Sequence, residues 1–244
     1  MIPSWLHTLS IVALAVGFLC AGLILLDVLR SPQGMAIMNI VWPVSALFGT
    51  VATLWLYVRY GRLATRRAVS AAKQAGQRPP AAQETPFPVM VAKAAFHCGS
   101  GCSIGDICAE WLAFAFPAIA LWLGWQQLFQ EKMFAVWILD LIFAFVLGIA
   151  FQYFTIVPMR HLGKLAGIWQ AIKADTFSLI AWQVGMYGFM AMASLWLFRD
   201  VLGARLEVDA PEFWFMMQIA MICGFATSYP VNWWLIRSGV KEKM

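Results

Sequence analysis

Charge is what this chain has least of. Only 12% of its 244 residues are Asp, Glu, Lys or Arg, about half the share in an ordinary soluble domain. That shortage excludes a conventional water-facing surface. Histidine is scarcer still: His7, His97 and His161 are the only three. None lies central to an apolar run, so a haem held between facing histidines is not expected. The five cysteines, Cys20, Cys98, Cys102, Cys108 and Cys223, include no CxxC motif and no framework of a secreted disulfide domain. The first residues lack a basic n-region, so no cleavable signal peptide is expected. The net charge of +5 could suggest nucleic acid. However, the basic stretch at 59–88 has almost no aromatics to stack on bases, and no nucleic-acid partner is expected.

Apolar residues are abundant, at 62% of the chain. They gather in six runs, roughly 5–28, 36–58, 103–125, 134–157, 176–198 and 213–236, each near the roughly 20 residues that cross a bilayer. The expected fold is all-α: one polytopic membrane helical bundle of six transmembrane helices over residues 1–244. Pro43 is expected to kink the second helix or mark its first turns. Residues 59–88 carry Arg59, Arg62, Arg66, Arg67, Lys73 and Arg78 against Glu84 alone. They read as a cytoplasmic linker, helical first and then irregular, with an attraction for anionic lipid. A cytoplasmic N-terminus leaves only Arg30, Lys132, Arg199 and Arg205 outside, with the other 13 of 17 basic residues inside. That split predicts both termini in the cytoplasm. The lipid bilayer is the expected surrounding; a homo-oligomer or a partner membrane protein stays open. A faint repeat places basic residues and Gly after the even-numbered helices, as at Arg160, His161 and Gly163.

The most informative stretch is 97–110. His97 is followed by Cys98, Cys102, Asp106 and Glu110 at intervals of four, with Cys108 between the last two. On a helix that interval stacks side chains along one slowly drifting face. Thiolate and imidazole suit Cu(I) or Zn(II), so His97, Cys98 and Cys102 form a candidate capture site at the start of the third helix. Asp106, Cys108 and Glu110 extend it inward. A carboxylate in hydrocarbon is costly and commonly marks function. Glu110 is therefore expected to face the bundle interior, either protonated, paired with a cation or hydrated. Gly101 and Gly105 offer a competing explanation: small residues let helices pack closely. Asp140 could continue a cation path or cap its helix.

Met217, Met221 and Cys223 lie on the last helix, where thioethers could pass Cu(I) onward or simply fill gaps. Tyr229 and Asn232, beside Pro230, form a polar break that could bind cations or be satisfied by neighbouring helices.

Several segments together resemble one bacterial family. They are Asn39 to Pro43, His97 to Cys102 with Gly105 and Asp106, Phe151 to Phe154 with Pro158 to Arg160, and Met217 to Met221 through Tyr229 to Asn232. The family is domain of unknown function 4396. The resemblance implies an inner-membrane, multi-pass protein of no settled activity. Some members look associated with copper-handling genes, which tilts the metal expectation toward copper. The expected function is binding or transport of a soft metal ion, with no catalytic residue assigned. Two alternatives stand beside it: a non-catalytic membrane scaffold or accessory subunit, and a thiol-based membrane oxidoreductase.

Overall fold

The computed structural model describes residues 2–160 and 163–242, and it is helical throughout, with no strand among them. His161 and Leu162, and with them part of the faint repeat, lie outside the described residues. Six long helices form the body: α1 (Ser4–Arg30), α2 (Met38–Leu56), α5 (Phe87–Ala115), α7 (Lys132–Arg160), α8 (Lys164–Ala191) and α9 (Pro211–Arg237). Three short ones lie between them: α3 (Arg66–Gln74), α4 (Pro80–Glu84) and α6 (Ala118–Trp122). α2 runs on through a π turn and a 3-10 turn to Ala64, and α8 continues in π geometry to Val201. Five of the six long helices are apolar and long enough to cross a membrane: Ser4–Arg30, Met38–Ala64, Lys132–Val157, Lys164–Val201 and Pro211–Arg237.

The exception is α5, the helix at the centre. It touches α2, α7, α8 and α9. From Val91 to Ala113 most of its residues are buried. Its thiols, serines, glycines and acids dilute its hydropathy, but its neighbours shield it, so it has no need of an apolar surface. α1 is the opposite case. It packs mainly on α2 and α9 and leaves Phe18, Leu19, Leu26 and Leu29 largely exposed, as a lipid-facing helix should.

Three boundaries differ from expectation. The third long helix begins at Phe87, just after Pro86, rather than near 103, and it stops at Ala115 before Pro117. The chain beyond turns at Gly124 (φ 99°), a left-handed angle that glycine adopts without strain. α8 begins at Lys164 rather than 176, so Lys173 sits on a helix and not in a loop. In α2 the backbone leaves helical angles at Thr50 (φ 44°, ψ −125°), one turn and more beyond Pro43. A β-branched residue is rare at that angle. Gln218 of α9 donates to the carbonyl of Leu47 (2.6 Å), beside the interruption.

Glycine sets how closely the helices approach. A Cβ on Gly101 would meet the Cα and N of Gly148 at 3.0 Å, and one on Gly105 would meet the N of Ala144 at 2.8 Å. α5 and α7 therefore touch backbone to backbone, which is what small residues permit in membranes. Trp182 of α8 is clamped similarly, because side chains at Gly99 or Gly224 would strike it.

Candidate functional site

The contacts between α5 and α7 set an antiparallel register. His97 meets Thr155, Gly101 meets Gly148 and Gly105 meets Ala144. One further turn along α5 reaches Ala109 and Glu110, and one turn back along α7 reaches Asp140. Asp140 and Glu110 do lie within electrostatic range of each other, and Asp106 is part of the same group. A spacing of four on α5 and of four on α7 has thus brought three acids from two helices together.

The rest of the interface is polar along its length. At one end Lys241 donates to Asp175 of α8 across 2.6 Å, with both side chains fully buried. Nearby, Asn232 of α9 donates to the Ser178 hydroxyl (2.6 Å). His97 shares a hydrogen bond with the Thr155 hydroxyl (2.9 Å), and its other ring nitrogen has no partner among the described residues. Cys98 and Cys102 come next on α5. Both are fully buried, both are free thiols, and they are close enough to interact. Asp106 follows, with Gln183 of α8 turned toward it. Tyr187, a turn beyond Gln183, stacks on Trp137 (centroids 4.4 Å apart) and donates to its carbonyl (3.1 Å). Glu110, Asp140 and Lys132 close the other end. The order is ion pair, imidazole, two thiols, then three carboxylates and a cation.

Satisfaction along this column is poor. Asp106 and Asp140 are 0% and 1% exposed, and none of their four carboxylate oxygens has a hydrogen-bond partner among the described residues. Both amide atoms of Gln183, and those of Gln152 on α7, are also unpartnered. Most buried polar groups in proteins are paired, so a run of exceptions along one interface is itself the signal.

The stretch 97–110 is helical and stacks as its spacing implied, but it occupies the middle of α5 rather than its start. His97, Cys98, Cys102, Asp106 and Glu110 are all buried, whereas Cys108 is exposed on another face. His97, Cys98 and Cys102 do not form a three-ligand cluster. No group of three His, Cys, Asp or Glu side chains among the described residues is arranged to hold a metal ion. Met217 and Met221 face away from the column. They line an apolar cavity of about 370 Å³ between α1, α2, α5 and α9, where the Ser103 hydroxyl points to the Met221 sulfur (3.5 Å). Cys223 is half-buried, and its carbonyl lies against Gly185 of α8. Tyr229 donates to the Pro88 carbonyl (3.1 Å) near the start of α5. Of these last-helix candidates, only Asn232 adjoins the column. Sequence reasoning missed Asp175, Gln183, Tyr187, Gln152 and Lys241. Asp175 carried the one usable hint, as an acid two residues from Lys173 and next to an apolar run.

Fold and column together define a helical membrane protein with a polar interior seam. Residues 89–241 match the family described as Domain of unknown function (DUF4396), and the chain belongs to that family. No curated protein and no solved structure matches it.

Proposed function

We propose that this protein moves a cation along the buried column between α5, α7 and α8. The observation that carries the proposal is the pair Asp106 and Asp140, sealed from solvent, with Gln183 turned toward Asp106 but no well-formed hydrogen bond at any of the four oxygens among the described residues. An unpaired carboxylate in hydrocarbon is expensive. Such a group is kept where it binds a proton or a passing cation. In this reading α5 is the sixth span, shielded by the other five. Both termini are cytoplasmic, as the 13-to-4 charge split favours, and the membrane is a bacterial inner membrane.

The cargo we favour is a soft ion, Cu(I) above Zn(II). Cys98 and Cys102 are adjacent thiols at mid-column, and thiolate pairs suit Cu(I). The carboxylates then take the proton that the ion displaces. A second reading, a scaffold without transport, is favoured by one specific observation: the backbone contact at Gly101 and Gly105 explains the small residues without any ligand.

Proteoliposomes separate the two. Wild type should carry copper or protons, followed by metal content and an internal pH dye. Glu110→Gln should still bind copper but stop its passage. Cys98→Ser with Cys102→Ser should abolish copper binding at micromolar levels. A wild type that binds no copper and passes no protons leaves the scaffold reading standing.

A further inference from the structure

A second cluster of unsatisfied groups lies against the first turns of α5, away from Asp106, Glu110 and Asp140. It surrounds a small cavity of about 60 Å³ bounded by Gln33, Met38, Trp42, Gly61 and Lys93, among others. The volume is enough for one small ion or one or two waters.

The backbone shows why these side chains point inward. Gln33 sits in the turn between α1 and α2, and its main chain is held from three directions. Its N–H donates to the Asn39 side chain (2.8 Å), its carbonyl accepts from the Arg66 guanidinium (3.3 Å), and it bridges to Thr65. Arg66 also donates from its N–H to the neighbouring Pro32 carbonyl (2.8 Å), and Gly34 to Ala64 (2.7 Å). With the backbone so fixed, the Gln33 side chain is 1% exposed, and neither amide atom has a partner among the described residues. Trp42, also 1% exposed, presents an indole N–H with no acceptor. Its ring is wedged edge-on against Tyr57 (5.5 Å), and a side chain at Gly61 would strike both rings. Lys93, 4% exposed, has no hydrogen bond or ion pair among the described residues.

The cavity therefore offers an ammonium, an amide NH₂ and an indole N–H, against uncharged side-chain acceptors, the Gln33 oxygen and the Tyr57 hydroxyl beside it. No carboxylate among the described residues lines it. The acid in the neighbourhood is committed elsewhere: Asp27 accepts from the Tyr57 hydroxyl (2.6 Å) and from Arg62 at two atoms (2.6 and 3.0 Å). A lysine so largely buried without a counter-charge is costly, and donors without acceptors add to the cost. One negative ion resolves all three deficits.

We propose that this cavity is a binding site for a small inorganic anion of halide size, held by Lys93, Gln33 and Trp42. Bound there, the ion ties the α1–α2 turn and the π segment of α2 to α5. Nothing in this proposal depends on the cation column.

The test uses the full chain in detergent. Thermal unfolding is measured in sodium chloride, sodium bromide and sodium gluconate at equal ionic strength. Anything that binds only the folded state raises its stability with concentration. The wild-type midpoint should rise saturably with halide and not with gluconate. Lys93→Met keeps the length of the side chain and removes the charge, so its response to halide should vanish. Gln33→Leu should move half-saturation at least tenfold higher. Crystals grown in bromide should show an anomalous peak beside Lys93. Equal midpoints in halide and gluconate overturn the proposal and leave the cavity to water. So does a halide response that survives in Lys93→Met, or a wild-type bromide crystal with no peak at Lys93.

Discussion

Replacing Asp140 with leucine should make the protein more stable and less functional at once. Asp140 has two buried oxygens without partners, and its neighbours Glu110 and Asp106 carry the same sign of charge. An orphaned buried polar atom costs about 1–3 kcal/mol, so two cost about 2–6 kcal/mol. Leucine removes both, while its extra bulk costs about 1–3 kcal/mol in a packed interface. At the centre of both ranges the balance is a gain of about 2 kcal/mol. At about 2–4 °C per kcal/mol for a chain of this length, the unfolding midpoint in detergent should rise by about 4–8 °C. Cation passage in proteoliposomes should stop. Gain of stability with loss of activity is the mark of a residue retained for function. The reasoning is refuted if Asp140→Leu instead loses about 3–5 kcal/mol, the cost of breaking a buried ion pair. Asp140 would then be a structural partner of some cation.

Other outcomes follow from the same geometry. Gly105→Ala should destabilise by about 1–3 kcal/mol, because its Cβ meets the backbone of Ala144, which cannot rotate away. Gly22→Ala in α1 meets nothing within 4 Å and should stabilise by up to about 1 kcal/mol; parallel unfolding curves of both variants check the contrast. Lys241→Met alone should cost about 3–5 kcal/mol by stranding Asp175. Adding Asp175→Leu should recover most of that, as a double-mutant cycle would show. A loss in the double variant equal to the sum of the two single losses would mean that the 2.6 Å contact is not energetically coupled.

Much of this architecture is legible in the sequence, and the failures have a common cause. Apolar runs located α1, α7 and α9 to within a few residues, because lipid-facing helices must be greasy all along. The same criterion misplaced the start of α5 at 103. Its first half, from Phe87 through Ser100, contains Lys93 and His97 and is covered by other helices, so hydropathy carries no information there. α8 was trimmed to 176 for the same reason, since Lys173 and Asp175 made its first turns look like a loop. On α5 the interval of four correctly grouped Cys98, Cys102, Asp106 and Glu110, because helical stacking is local. What lies opposite them is a question of register between distant segments. Gln183, Tyr187 and Gln152 carry no motif, and only the backbone contacts of Gly101 and Gly105 fix which residues face the acids. Lys241 is the sharpest case: as a tail lysine it counts toward topology, yet it is buried on Asp175.

The central place of α5 also bears on how the protein is made. The insertion machinery judges each helix as it emerges, largely by its hydrophobicity, and α5 alone among the six long helices falls short of that standard. If α5 is the sixth span, as proposed, it is not expected to be released singly into lipid, but to wait at the interface, or in the machinery itself, until α7 arrives to lie antiparallel against Gly101 and Gly105. The two would then enter as a hairpin, with the acids turned inward. A nascent chain halted between α6 and α7 would hold a helix that neither water nor lipid accepts, which makes that point in synthesis the natural one for surveillance proteases to act.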